Sequence, residues 1–108
     1  MSQTLREVQI LAERGDVRIS AHGYDELAAD GIFISDVIAG VHAAVVVEDY
    51  PHFVHGPCVL VLQKEADGSP IHIVWGIPET RTGPAVVVTA YRPDPTRWSS
   101  DLLKRKAP

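Results

Sequence analysis

Five histidines and an arginine adjacent to a tyrosine are the residues with which this 108-residue chain could do acid–base chemistry near neutral pH. The histidines are His22, His42, His52, His55 and His72. His22 and Glu26 stand i,i+4, a spacing that brings two metal ligands to one side of a helix. No His-Glu-x-x-His stretch accompanies them, a single cysteine cannot make a paired set, and His52 and His55 fall in a Pro-flanked segment, so no metal is expected. Nucleophilic catalysis has less support still. Cys58 opens an apolar run, where a free thiol is ordinarily a small hydrophobe, and neither a Gly-x-Ser-x-Gly elbow nor a phosphate-cradling glycine loop is present. What remains is the set His22, His72, Tyr91 and Arg92. Cleaving RNA without a metal needs a base for the 2′-hydroxyl, an acid for the leaving oxygen and a cation for the transition-state charge. Thr89, Arg97 and Trp98 are the accompanying candidates for holding substrate, and no cofactor is expected. The competing reading makes His72 a satisfied structural residue and Tyr91 an anchor for the turn at Pro93.

These residues have to be positioned by two kinds of element. Residues 4–14 read as a helix, with Leu5, Val8, Ile10, Leu11 and Ala12 supplying its apolar side and Gly15 closing it. Residues 16–20 form a short, extended link. Ser20 caps a second helix over 21–30, ended by Gly31, with Tyr24, Leu27 and Ala28 expected toward the core. Ser35 caps a short third helix over 36–39. From there the period changes from helical to alternating. Residues 44–50, 58–64, 71–77 and 85–91 are rich in Val, Ile and Leu and separated by Pro- and Gly-containing turns, one of them near Arg81. The expectation is an α+β domain, with N-terminal helices packed on one face of a roughly four-stranded antiparallel sheet. Alternation assigns Ile71, Ile73, Trp75 and Ile77, with Val86, Val88 and Ala90, to the helix-covered face. It leaves His72, Thr89 and Tyr91 on the open face. Pro93 and Pro95 stiffen the chain after Tyr91 and Arg92, and Trp98 can fold back as a lid. The edge strands, expected to be 44–50 and 85–91, could pair with a partner or with a second copy as a homodimer.

Composition bounds the class. Apolar residues at 45% and charged residues at 22% are globular values, and the length suits one domain. Residues 1–15 carry Arg6, Glu7, Glu13 and Arg14 and no apolar run, so a secretory leader is not expected. With one cysteine and no membrane-length apolar stretch, a cytoplasmic protein follows. Net charge is −4, unevenly spread. Residues 1–50 hold nine acids against three bases; residues 81–108 hold six bases, Arg81, Arg92, Arg97, Lys104, Arg105 and Lys106, against Asp94 and Asp101. The basic end suits a phosphate backbone or an acidic partner.

Several stretches together resemble a bacterial family of domains of unknown function grouped with RelE-, HigB- and MqsR-like toxins. They are Ile19-Ser20-Ala21-His22, Leu27 with Gly31-Ile32, Val47-Glu48-Asp49-Tyr50-Pro51, Pro70-Ile71-His72-Ile73-Val74-Trp75, and Val88-Thr89-Ala90-Tyr91-Arg92-Pro93-Asp94 through Trp98. The resemblance spans residues 17–98. It implies a RelE-like fold shared with barnase-like ribonucleases, RNA (ribosome-bound mRNA included) as substrate, and a cognate antitoxin protein as partner. The matching site positions are His22, His72 and Tyr91, with Arg92 following. Many relatives carry His-Ala-x-x-Arg where this chain has Glu26 in place of the Arg. The reading is a metal-independent ribonuclease of toxin–antitoxin type; the alternative is a non-catalytic protein-interaction module that keeps the toxin-like fold.

Overall fold

The computed structural model describes residues 2–80 and 82–107; Met1, Arg81 and Pro108 lie outside it. Ser2 opens the first helix, its hydroxyl accepting from the Leu5 N–H at 3.0 Å, so α1 runs Gln3–Glu13. Leu5, Val8, Leu11 and Ala12 turn inward, and Ile10 stays on the solvent side. Strand β1 (Val17–Ile19) follows, then α2 (Ala21–Asp30), capped by the Ser20 hydroxyl on Gly23 N–H and stopped by Gly31 in the left-handed region at φ 64. The short α3 (Ile34–Gly40) runs into a 3₁₀ turn, Val41–Ala43. Phe33, not Ser35, occupies its N-cap and offers no side-chain cap.

Strands β2 (Val45–Tyr50), β3 (Cys58–Lys64), β4 (Pro70–Gly76) and β5 (Ala85–Tyr91) form the expected antiparallel meander. The sheet has a fifth strand, in the order β1-β5-β4-β3-β2. The link expected over residues 16–20 is β1, which pairs parallel to β5. Residues 85–91 are therefore an interior strand, not an edge. Past the end of β1, α2 itself lies along that side of β5. Ser20 Oγ donates to Val88 O, Glu26 Oε1 accepts from Ala90 N–H at 3.1 Å, and Asp30 Oδ2 accepts from Arg92 N–H at 3.1 Å. Two carboxylates thus satisfy backbone donors that a sixth strand would otherwise take. The approach is close: a Cβ at Gly23 would stand 2.6 Å from Val87 O, so any larger residue there would push the helix off the strand.

The core lies between the helices and one sheet face. Val8, Leu27 and Val37 meet Ile71, Ile73, Trp75 and Val87 there. Buried Gln63 resolves two polar problems inside it, donating to Val37 O at 2.9 Å and accepting the Trp75 indole N–H at 2.8 Å. Alternation along β4 is as expected, but along β5 it is not. Ala85, Val87 and Ala90 are buried in the core, whereas Val86 is half-buried on the other face and Val88 is exposed. The cause is a bulge: Val74 pairs with Thr89 but Trp75 pairs with Val87, leaving Val88 as the extra residue. Tyr24 is 65% exposed and Ala28 is exposed, so Leu27 alone of the three residues expected inward from α2 is buried.

Candidate functional site

The sheet face away from the helices carries the chemistry. His72, Val74 and Gly76 of β4 point there, opposite Tyr91, Thr89 and Val86 of β5. On β2 a second bulge does equivalent work. Val46 pairs with Val61 and Glu48 with Leu60, so Val47 is the extra residue, and Glu48 and Tyr50 turn to the open face instead of the core.

This face is not open at its His72 end. After Pro93 and Pro95 the chain turns back, and residues 97–106 close on themselves as a small loop. Trp98 bridges Arg105, Lys106 N–H donates to Arg97 O, and Ser99 N–H donates to Lys104 O. This lid lies on β4 and β5. Trp98 is 4% exposed, its ring edge-on to His72 with centroids 4.5 Å apart. His72 is fully buried beneath it.

Both ring nitrogens of His72 are bonded. Nε2 lies 2.9 Å from Leu102 O and Nδ1 lies 3.1 Å from the Tyr91 hydroxyl. A carbonyl only accepts, so Nε2 carries the proton and the Tyr91 O–H donates to Nδ1. Burial holds the His72 pKa below the ordinary histidine value, opposed by the Leu102 carbonyl; nearby Arg105 adds to the depression and Glu48 opposes it. Burial likewise pushes the Tyr91 phenol up. At neutral pH the pair is a neutral tyrosine donating to a neutral imidazole.

Glu48 anchors the lid from the other side. Its carboxylate takes Arg105 in a two-pronged pair, Nε to Oε2 at 2.9 Å and Nη2 to Oε1 at 3.0 Å, and accepts the Tyr50 hydroxyl at 2.6 Å. The Arg105 bond, chiefly, holds the Glu48 carboxyl below its usual range, and Glu48 in turn raises Arg105. The Arg105 guanidinium also stacks 4.8 Å over the Trp98 ring.

Between lid and strand end lies a basin of about 780 Å³, lined by Tyr91, Arg92, Arg97, Trp98, Arg105 and Lys106 among others. Arg92 is committed to structure. Its guanidinium forks onto Glu65, its Nε donates to Asp30 O at 3.2 Å, and the Glu65 bond raises its pKa. Arg97 is 83% exposed at 4.0 Å from Asp94, and no carboxylate among the described residues pairs with Lys106. Asp94 accepts from Thr96 N–H at 2.9 Å and its hydroxyl at 2.7 Å, the local turn its position after Pro93 implies.

The structure thus joins His72, Tyr91 and Trp98 in direct contact, with Arg92 and Arg97 on the same basin. Thr89 is on the same face but outside the basin's lining. His22 stands apart from this group. It lies at the start of α2, 69% exposed, with Nε2 3.1 Å from Glu26 Oε1, while that same carboxylate oxygen holds Ala90 N–H. Glu26 is therefore a brace between helix and strand. Sequence reading missed Glu48, Glu65 and Asp30 as partners of the site's cations. The one available signal was the run of acids and tyrosine at 48–50; the pairings across 57 and 27 residues left no local trace. Among the described residues no three His, Cys, Asp or Glu side chains cluster to hold a metal ion, and no helix is long and apolar enough to cross a membrane.

A family model described as a domain of unknown function, DUF4258, matches residues 19–92, from the last residue of β1 through Arg92. No curated protein and no solved structure matches the chain.

Proposed function

The chain belongs to the DUF4258 family, a domain of unknown function, and within it we propose that this protein is a metal-independent ribonuclease of toxin type with a RelE-like fold. The observation that carries the reading is the Tyr91 hydroxyl, bonded to buried neutral His72 at the wall of a basin rimmed by Arg97, Arg105 and Lys106. The cations receive RNA phosphates. The ribose 2′-hydroxyl attacks its neighbouring phosphorus, closing a 2′,3′-cyclic phosphate and expelling the 5′-oxygen. Tyr91 takes the 2′-hydroxyl proton as it passes its own to His72 Nδ1, and water supplies the proton to the leaving oxygen. The lysine and arginines offset the charge that builds on the phosphoryl oxygens. A depressed His72 pKa suits this role, because the imidazole has to be neutral to accept. Such a nuclease would be held in check by an antitoxin protein.

The test is cleavage of free and ribosome-bound RNA in the presence of chelator. Wild type should leave 2′,3′-cyclic ends, and Tyr91→Phe should lose roughly 10²–10⁴ in rate while staying folded. A folded wild type that cleaves neither RNA would overturn the proposal. One observation favours a non-catalytic interaction module instead: His72 is wholly buried with both nitrogens engaged, as a lid-holding residue would be. Under that reading Tyr91→Phe alters stability, and wild type has no activity to lose.

A further inference from the structure

Two bodies build the basin. Tyr91, Arg92 and Asp94 belong to the end of β5 and the turn after it, whereas Arg97, Trp98, Arg105 and Lys106 belong to the lid. The lid is a hairpin closed on itself. Ser99 N–H donates to Lys104 O at 2.8 Å, Leu102 N–H to Ser99 O at 2.8 Å, and Lys106 N–H to Arg97 O at 2.9 Å. It is seated on the sheet through Trp98 and Leu102 O on His72 and through Arg105 on Glu48. Leu102, which supplies the carbonyl bonded to His72, stands at φ 64, the one non-glycine residue at positive φ among those described. A leucine is strained in that left-handed conformation, so the closed seat holds strain that opening relaxes.

Closing the lid also gathers like charge. Arg97 and Lys106 are neighbours across the hairpin, and closure sets both on the basin that Arg92 and Arg105 line. Arg92 has Glu65 as its counter-charge and Arg105 has Glu48. Arg97 has Asp94 at 4.0 Å, a carboxylate already bonded to Thr96, and no carboxylate among the described residues pairs with Lys106. Opening at residues 93–96 would separate these lid cations from the strand end. An anion in the basin therefore meets more positive charge in the closed arrangement than in the open one. A ligand with that difference in affinity drives closure.

We propose that residues 97–106 form an anion-closed lid. A phosphate held between Arg97 and Lys106 of the hairpin and Tyr91 and Arg92 of the strand end fastens the lid over His72, and its departure frees the lid to open. This rests on the basin being a phosphate site. In the proposed chemistry His72 is then shut from water while substrate is bound, and product release unlocks it.

The test measures binding and lid opening separately on the full chain. The probe is a fluorescent six-nucleotide 2′-O-methyl RNA, which keeps the phosphates and has no free 2′-hydroxyl to react. Anisotropy gives its affinity, and amide hydrogen exchange with and without it, at matched ionic strength, gives lid opening. A small hairpin is marginal by itself, so detachment exposes the amides of Ser99, Leu102 and Lys106. With probe at about 100 times its Kd those amides should exchange roughly 10- to 100-fold more slowly. With Arg97→Ala and Lys106→Ala combined, lid exchange should no longer respond to the probe, even at the same multiple of the variant's own Kd. Probe that binds wild type without slowing lid exchange overturns the anion-closed lid and leaves the phosphate reading standing. Slowing that survives the double substitution overturns the grip by the lid's cations, and a probe that does not bind removes both readings.

Discussion

Replacing His72 by alanine should release the lid before it unfolds the sheet. The ring is fully buried on β4 and reaches the lid through Leu102 O, while Glu48 on β2 holds the lid from the other side through Arg105. The hydrogen bond to Leu102 O contributes about 1 kcal/mol net, whereas the bond to Tyr91 joins β4 to β5 and persists when the lid opens. The Leu102 carbonyl, deprived of its donor, and the lost edge contact with Trp98 add roughly another 1–2 kcal/mol. A total of about 2–3 kcal/mol therefore falls on the closed state of residues 97–106. The remaining anchor, Arg105 on Glu48, is a partly exposed ion pair whose contribution is roughly 0–1 kcal/mol. Amide hydrogen exchange reads this directly. The N–H groups of Ser99, Leu102 and Lys106 are bonded inside the lid and report its opening. In His72→Ala they should exchange roughly 30- to 160-fold faster, while core amides of β3 and β4 change much less. Tyr91→Phe, which removes a bond inside the sheet and keeps the ring, should change lid exchange by only about a few-fold. Unchanged lid exchange in His72→Ala would refute the latch, and equal acceleration of lid and core amides would show that lid and sheet open as one unit.

Acid should act on the same contact. The folded ring has its pKa below the ordinary 6.5, so below that pH the unfolded chain takes up a proton that the native imidazole refuses, and stability falls; above it neither state binds the proton and the curve is flat. A urea titration from pH 8 to pH 5 checks this, and His72→Gln should flatten the acid limb. Glu26→Ala should cost about 1–2 kcal/mol in chemical denaturation, because the Ala90 N–H loses its acceptor at a partly buried site, whereas Glu26→Gln, which keeps a carbonyl oxygen there, should cost less. Combining Arg97→Ala with Lys106→Ala should weaken RNA binding and reduce the slope of log affinity against log salt by about 1–2; a slope identical to wild type would remove both residues from the phosphate contacts.

Much of this architecture is written locally. The Ser20 cap and Gly31 stop bound α2 because a hydroxyl acceptor and a left-handed glycine satisfy the helix ends within a few residues. The four long strands and their consecutive pairing follow from alternation and short turns, and the shared face of His72 and Tyr91 from counting along two neighbouring strands. Trp98 returning to the sheet was legible too, since the prolines after Tyr91 turn the chain and an indole there needs cover.

What alternation could not carry was a single count of faces across a bulge. One extra residue at Val47 swings Glu48 and Tyr50 from the core side to the open face, and one at Val88 exchanges Val86 for Val87 in the core. A bulge is selected by the packing of two strands, not by the identity of the inserted valine, so a run of valines does not announce it. The parallel pairing of Val17–Ile19 with β5, and the use of Glu26 and Asp30 as acceptors along its flank, arise for a similar reason. They answer unpaired backbone groups that exist only once α2 lies beside β5. The residue types that could do chemistry were fixed by the sequence itself, whereas which of them are buried, paired or left facing the basin was decided by where the lid and the sheet edge met.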